Sequence, residues 1–209
     1  MVLNGLGAQL PKLKLLNTSD SDIVGAYLGN KNNQYAVTWK PLVSEVLDQD
    51  RGVKELFDSS KIPGEILDLL VIRTEVLKRQ DGSGQRFAKA IAGAWYETMM
   101  QLASANAQAI SGSAAASGDS VTSYKEQLRT TALFATAQSA TQFAQSADLK
   151  QKMDLVRQFC FHHALLGQNI QSVDDVAILY PDGSIQGKKD RVRLRVDATY
   201  MQLAAQGKL

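Results

Sequence analysis

Two short stretches hold the side chains best suited to chemistry. Thr18, Ser19 and Asp20 follow one apolar run, and Thr38 and Trp39 follow another. In each case a strand-like run gives way to a helix-like pattern. Hydroxyl groups beside the free backbone N–H groups of a helix start can hold a small polar ligand. Trp39 stands between a strand end and a helix start, a poor place for a deep core residue. There it can form an apolar wall, with an N–H donor and a π face for a small ligand. The plainer readings stay open: the Thr18–Asp20 trio can simply cap a helix, and Trp39 can be an ordinary half-buried aromatic.

Other reactive residues are sparse. His162 and His163 are neighbours and point about 100° apart on a helix, so they do not readily share a metal. Cys160 and His163 share a helical face at i, i+3, but no further Cys or His exists to complete a site. A nucleophilic Cys160 would need an electropositive, accessible setting that the sequence does not supply. There is no GxSxG, P-loop or GxGxxG pattern, and no carboxylate pair stands out. The expectation is therefore a protein that is not an enzyme, with no catalytic residue, no metal and no cofactor. Arg191, Arg193 and Arg195 read as a solvated edge that protects an exposed strand.

The elements that must position the two stretches follow from periodicity. Residues 13–16 and 35–38 read as strands. Residues 20–28 and 41–47 read as the helices that follow, with Ser19 or Asp20 as N-cap of the first and Pro41 opening the second. Residues 31–33 read as a turn. A third strand or extended piece covers 53–57, and the apolar run 66–72 reads as a buried central strand or one passing between lobes. The breaker Asp81-Gly82-Ser83-Gly84 marks a change to long helices. Phe87, Ile91, Trp95, Met99 and Leu102 form a helical core stripe. Residues 103–120, rich in Ala, Ser and Gly, read as a fraying helix end passing into a flexible loop. Helices are expected over 124–134 and along Leu149, Met153, Val156, Cys160 and His163, the latter ending at Gly167. The tail reads as an extended piece at 176–180, a turn at 181–183, an amphipathic strand at 191–196 and a helix at 198–205. Strand–helix alternation followed by helices gives an α/β class.

The bulk numbers suit an ordinary globular chain of 209 residues with net charge +2, which gives no reason to expect nucleic acid or an acidic membrane surface as partner. A single cysteine excludes an internal disulfide. No apolar run approaches the ~20 residues of a membrane span. The first ten residues lack the charged and apolar regions of a signal peptide, so a cytoplasmic location is expected if this chain is the complete product.

Several segments, taken in order, resemble a known family. Leu15-Leu16-Asn17-Thr18-Ser19-Asp20-Ser21-Asp22-Ile23-Val24 is similar to the second-lobe entry of ABC-transporter substrate-binding proteins of the nitrate/sulfonate/taurine group, closest to their urea/amide branch. Ala36-Val37-Thr38-Trp39-Lys40-Pro41 resembles that family's strand–Trp–x–Pro segment. Ile62-Pro63-Gly64-Glu65-Ile66-Leu67-Asp68-Leu69-Leu70-Val71 resembles its return strand. Ala94-Trp95-Tyr96-Glu97-Thr98-Met99 and Leu194-Arg195-Val196-Asp197-Ala198-Thr199-Tyr200-Met201 also fit.

The resemblance implies a periplasmic-binding-protein-like (class II) two-lobed fold that closes on a small molecule and delivers it to an ABC permease in the membrane. Residues 1–72 would be part of the second α/β lobe, and 73–209 the helical C-terminal part of the first. Thr18, Ser19, Asp20, Thr38 and Trp39 would line the cleft, with Asp68 near the interlobe crossing. A periplasmic location is implied. The family's signal peptide and early strands would precede the matched part, so the fold is expected to be incomplete and the chain a C-terminal fragment. Exposed apolar area, at ~25 cal/mol per Å², would then leave it marginally stable and prone to self-association through sheet edges. Two alternatives are a structural or interaction module built on the helical half, and an enzyme like the thiamine-pyrimidine synthases. The enzyme would need a cysteine-rich motif and a substrate histidine that Cys160 and the His162-His163 pair do not supply.

Overall fold

The computed structural model describes residues 14–209. The chain divides into two compact units, with the boundary between Leu56 and Phe57. Among the described residues it is helix-rich, with one small three-stranded sheet, and so α/β in the broad sense.

In the first unit, α1 (Ile23–Gly29) packs against α2 (Leu42–Gln49). Each buries one side chain, Val24 and Val46. The Asn33 amide donates to the Ala26 carbonyl at 2.7 Å and holds the turn at 31–33 against α1. Pro41 occupies the N-cap of α2, one residue before its first turn. The strands expected here are not formed. Residues 14–16, 35–38 and 53–56 have no regular secondary structure, and position 13 lies outside the described residues. Leu15, Leu16, Tyr35, Val37 and Leu56 are exposed. A strand needs a neighbour for its backbone groups, and β-propensity expresses fit to that neighbour; no described segment pairs with these.

The second unit opens the same way. Residues 67–72 carry no strand, and Ile66, Leu69, Leu70 and Val71 are exposed rather than buried. After α3 (Thr74–Leu77) comes α4 (Ser83–Ala103). These two meet at Gly84, where a Cβ would stand 1.8 Å from the Val76 carbonyl oxygen. That contact selects the buried face of α4. It is Gly84, Ala88, Ala92 and Leu102; of the expected stripe Leu102 is buried and Ile91 and Met99 are half-buried, while Phe87 and Trp95 are exposed. Small residues let neighbouring backbones approach, so they face inward and displace the aromatics.

The stretch expected to be a flexible loop contains α5 (Ala107–Ala116), with the Asn106 side chain capping Ala109 N–H at 3.0 Å and Ile110 and Ala114 buried. Alanine's high helix propensity and an N-cap outweigh the Ser and Gly content. The next helix, α6 (Val121–Arg129), starts at its Ser120 cap and stops short of Phe134. Then follow α7 (Ala137–Ala144) and α8 (Ala147–His162), capped by Thr136 and Ser146. The last of these ends before Gly167, because Ala164 takes a positive φ of 54° that breaks the helical repeat.

The sheet has the order β2-β1-β3, with β1 (Ala177–Leu179), β2 (Ile185–Gln186) and β3 (Val192–Arg195). The β1–β2 pair is an antiparallel hairpin, and β1–β3 is parallel with an irregularity between Ala177 and Ile178. Val192 and Leu194 are half-buried while Arg193 and Arg195 are exposed, as the alternation predicts. The last helix, α9 (Thr199–Ala205), packs on α4 and α7. Leu149, Ile178 and Tyr180 form a core cluster, with Leu67, Phe143, Met153, Leu194 and Val196 packed around it.

A polar clip fixes the sheet to α8. The Arg157 side chain is 6% exposed. Its guanidinium donates to the carbonyls of Val176 (2.8 Å) and Val173 (2.9 Å) and pairs with Asp154 at 2.9 Å and Asp174 at 3.4 Å. Four of its five N–H donors point at acceptors, two of them carboxylates, which is what lets a charge sit inside. Gly187, at φ +93°, passes so close that a Cβ would lie 2.9 Å from the guanidinium. At the other end Gln186 donates to the Lys150 carbonyl at 2.9 Å and accepts from Tyr180 Oη at 2.5 Å.

Candidate functional site

The first expected site group sits in the turn that leads into α1. Ser19 donates to Asp22 Oδ2 at 2.5 Å, and its hydroxyl lies 2.9 Å from that of Ser21. The Asp22 N–H donates to the Ser19 carbonyl at 3.1 Å. The N-cap is therefore Asp22, without a side-chain cap bond, and not Ser19 or Asp20. The cause is local: Asp22 already draws the Ser19 hydroxyl, so it is not available to the helix N–H groups. Ser19 and Asp20 are exposed and Thr18 is half-buried. The cluster is acidic and rich in hydroxyls, and two of its hydroxyls are engaged with each other.

The second group opens α2. Trp39 is 57% exposed, and its carbonyl accepts from Val43 N–H at 3.1 Å, which builds the first helical turn beneath it. The Thr38 residue is half-buried, and its Oγ1 is shielded from solvent without a hydrogen-bond partner among the described residues. A buried hydroxyl without a partner is costly, of the order of 1–3 kcal/mol. An exposed indole and an unsatisfied hydroxyl on consecutive residues, leading into an eight-residue helix, are groups with which a small polar molecule can interact. No hydrogen bond joins Thr38 or Trp39 to Thr18, Ser19 or Asp20 among the described residues. The five side chains thus fall into two locally built groups.

The Cys160 region is engaged structurally. His162 Nδ1–H donates to the Gln158 carbonyl at 2.7 Å, and the His163 ring stacks on Phe159 at 4.3 Å. Cys160 is half-buried. Asp68 is exposed in the irregular run 67–72.

One concavity was not foreseen. A cavity of about 250 Å³ opens at the carboxyl ends of the parallel strands β1 and β3, lined by Tyr180, Arg195, Asp197, Thr199 and Gln202 among others. Tyr180 is buried beneath it, and burial pushes its phenol up to about 12, opposed by Arg157 and helped by the Asp154 charge. The Lys150 ammonium lies 5.4 Å from the Tyr180 ring centroid and binds Asp182 and Ser184 in the hairpin turn. The Lys150 and Ser184 hydrogen bonds hold the Asp182 carboxyl well below the usual carboxylate range. The only sequence sign of this place is the turn at 181–183 next to Arg195 and Asp197. Asp197 accepts from the Thr199 N–H at 2.9 Å, which organises its rim.

No protein-family model matches the chain, and neither a curated protein nor a solved structure matches it.

Proposed function

We propose that this chain is a solute-binding component of an ABC importer. It would capture a small polar molecule of the urea/amide, nitrate or sulfonate class and present it to a membrane permease without chemical turnover. The observation that carries this reading is the Thr38–Trp39 pair leading into α2, a solvent-shielded hydroxyl without a hydrogen-bond partner among the described residues, followed in the chain by an exposed indole. The ordered resemblance in sequence supports the same reading and extends it to the two-lobed class II fold, to the periplasm, and to Thr18, Ser19 and Asp20 as further ligand contacts. The chemistry fits a neutral or anionic solute. The Thr38 hydroxyl can donate to a carbonyl or oxyanion, and the indole face can cover an apolar edge.

Calorimetric titration of the whole chain with urea, acetamide, nitrate and taurine tests it, alongside the fluorescence of Trp39 in a Trp95→Phe background. Saturable one-to-one binding to one of these is expected, with unchanged ligand recovered afterwards. Trp39→Ala and Thr38→Val should each weaken it about tenfold, the worth of one hydrogen bond or aromatic contact. No binding of any of the four, or binding indifferent to both substitutions, overturns the reading. A chain that gains mass with concentration and ignores all four solutes would favour the interaction module instead.

A further inference from the structure

Residues 66–72, Ile-Leu-Asp-Leu-Leu-Val-Ile, combine three properties that rarely occur together on a free surface. The segment is anchored at one point, because Leu67 packs on the core cluster of Leu149, Ile178 and Tyr180. Apart from the half-buried Ile72, the other apolar side chains are bare: Ile66, Leu69, Leu70 and Val71 are 52–69% exposed. Its backbone is also unused, since no described backbone group pairs with residues 66–72 and the nearest backbone bonds are Glu65 to Ile62 and Val76 to Arg73. It contains no Pro, Gly, Lys or Arg, the residues that normally blunt an exposed strand edge.

We propose that a second copy of this chain covers the segment, through antiparallel pairing of residues 66–72 about a two-fold axis at Leu69. The sequence fits itself in that register. Ile66 falls opposite Ile72, Leu67 opposite Val71, and Leu69 opposite its own copy. Asp68, the only charge, falls opposite Leu70, so the two carboxylates are not directly opposed, where like charges destabilise a pair. Both chains satisfy their free N–H and C=O groups, and the contact closes on itself because a two-fold interface is self-complementary. The four exposed side chains offer on the order of 500 Å² per chain, so two copies remove at most on the order of 1,000 Å², the size of a weak, transient interface. Pairing of this size gives a reversible, concentration-dependent dimer. This inference uses none of the proposed ligand contacts, and it takes residues 66–72 as the exposed, irregular run described above and not as the return strand of a two-lobed fold.

Sedimentation velocity of the whole chain over a hundredfold concentration range tests it. A monomer–dimer equilibrium is expected, and Leu69→Lys should raise its dissociation constant at least tenfold with an unchanged far-UV circular dichroism spectrum. Residue 69 is already exposed, so the variant should fold. In a Cys160→Ala background, Leu69→Cys should form an inter-chain disulfide under mild oxidation. Ile66→Cys should do so only when mixed with Ile72→Cys. A monomer at every concentration, an open-ended ladder of larger species, a dimer unaffected by Leu69→Lys, or cross-linking of Ile66→Cys to itself each overturns the proposal.

Discussion

Residues 35–38 and residues 177–179 are both short apolar runs near a helix, and the wrong one is the strand by propensity. Tyr-Ala-Val-Thr holds more β-formers than Ala-Ile-Leu. Yet Ala177–Leu179 is β1, with Ala177 and Ile178 buried, while Tyr35 and Val37 stand 77% and 93% exposed without secondary structure. The difference lies in what surrounds each run. β1 has β2 on one side and β3 on the other. Arg157 also holds the carbonyl of Val176 just before it. Residues 35–38 have no described neighbour that offers backbone partners. A strand is a property of a pair, so a single run cannot specify it.

The comparison breaks most sharply at Arg157. Replacing Arg157 with Leu takes the side-chain donor from the Val176 carbonyl and leaves the Val173 carbonyl only its bond from the Val176 N–H. It also removes the polar clip between α8 and the sheet, while their apolar packing stays. We expect a loss of about 3 kcal/mol in urea unfolding. Val37→Ser should stay within about 0.5 kcal/mol, because nothing packs on that side chain. Equal effects of the two would mean that the sheet does not depend on its clip.

Two glycines sharpen the same contrast with opposite signs. Gly187→Ala meets Arg157 and the Asp174 carbonyl at 2.9 Å and sits at a positive φ, so a loss of about 1–3 kcal/mol is expected. In α1, Gly25 has nothing within 4 Å of a Cβ, so Gly25→Ala should gain about 0.5–1 kcal/mol. Hydrogen exchange of the α1 amides reports the second change without reference to the rest of the molecule.

The smallest effect concerns acid. The Lys188 hydrogen bond lowers Asp175, and those from Lys150 and Ser184 lower Asp182. A depressed carboxyl contributes stability that is present above its unfolded value of about 3.9 and is lost as pH falls through the folded value. The melting temperature should therefore drop as pH falls below about 4. Asp182→Asn should melt lower than the parent at pH 7 and show a shallower drop in acid. Parallel acid curves for parent and variant would show that the Lys150–Asp182 pair is not felt.

Much of the helical skeleton was legible. Apolar spacing marked α1, α2, α4, α8 and α9, and the charged–apolar alternation marked β3. Composition misled at 107–116, where Ala, Ser and Gly read as linker although Asn106 offered a cap and Ile110 an anchor. It gave no sign of α7, whose buried residues Ala137, Ala140 and Ala144 carry too little hydrophobic contrast to show a period. On α4 the largest residues read as core, but Gly84 decides the face through a backbone contact that no hydrophobicity pattern records. At the site, position was legible and bonding was not. Thr38 and Trp39 do stand at a helix start, whereas the engagement of Ser19 with Asp22 depends on the exact turn between them.

The reach of Arg157 also bears on the order in which the chain assembles. Its bonds to Val173 and Val176 close loops of 16 and 19 residues. The packing of α4 on α9 closes a loop of roughly a hundred residues, which costs about 1.5 kcal/mol more in chain entropy. The helix and hairpin around Arg157 thus form at a lower chain-entropy cost than the α4–α9 packing. They can act as a nucleus on which the later-closing helices α4 and α9 condense.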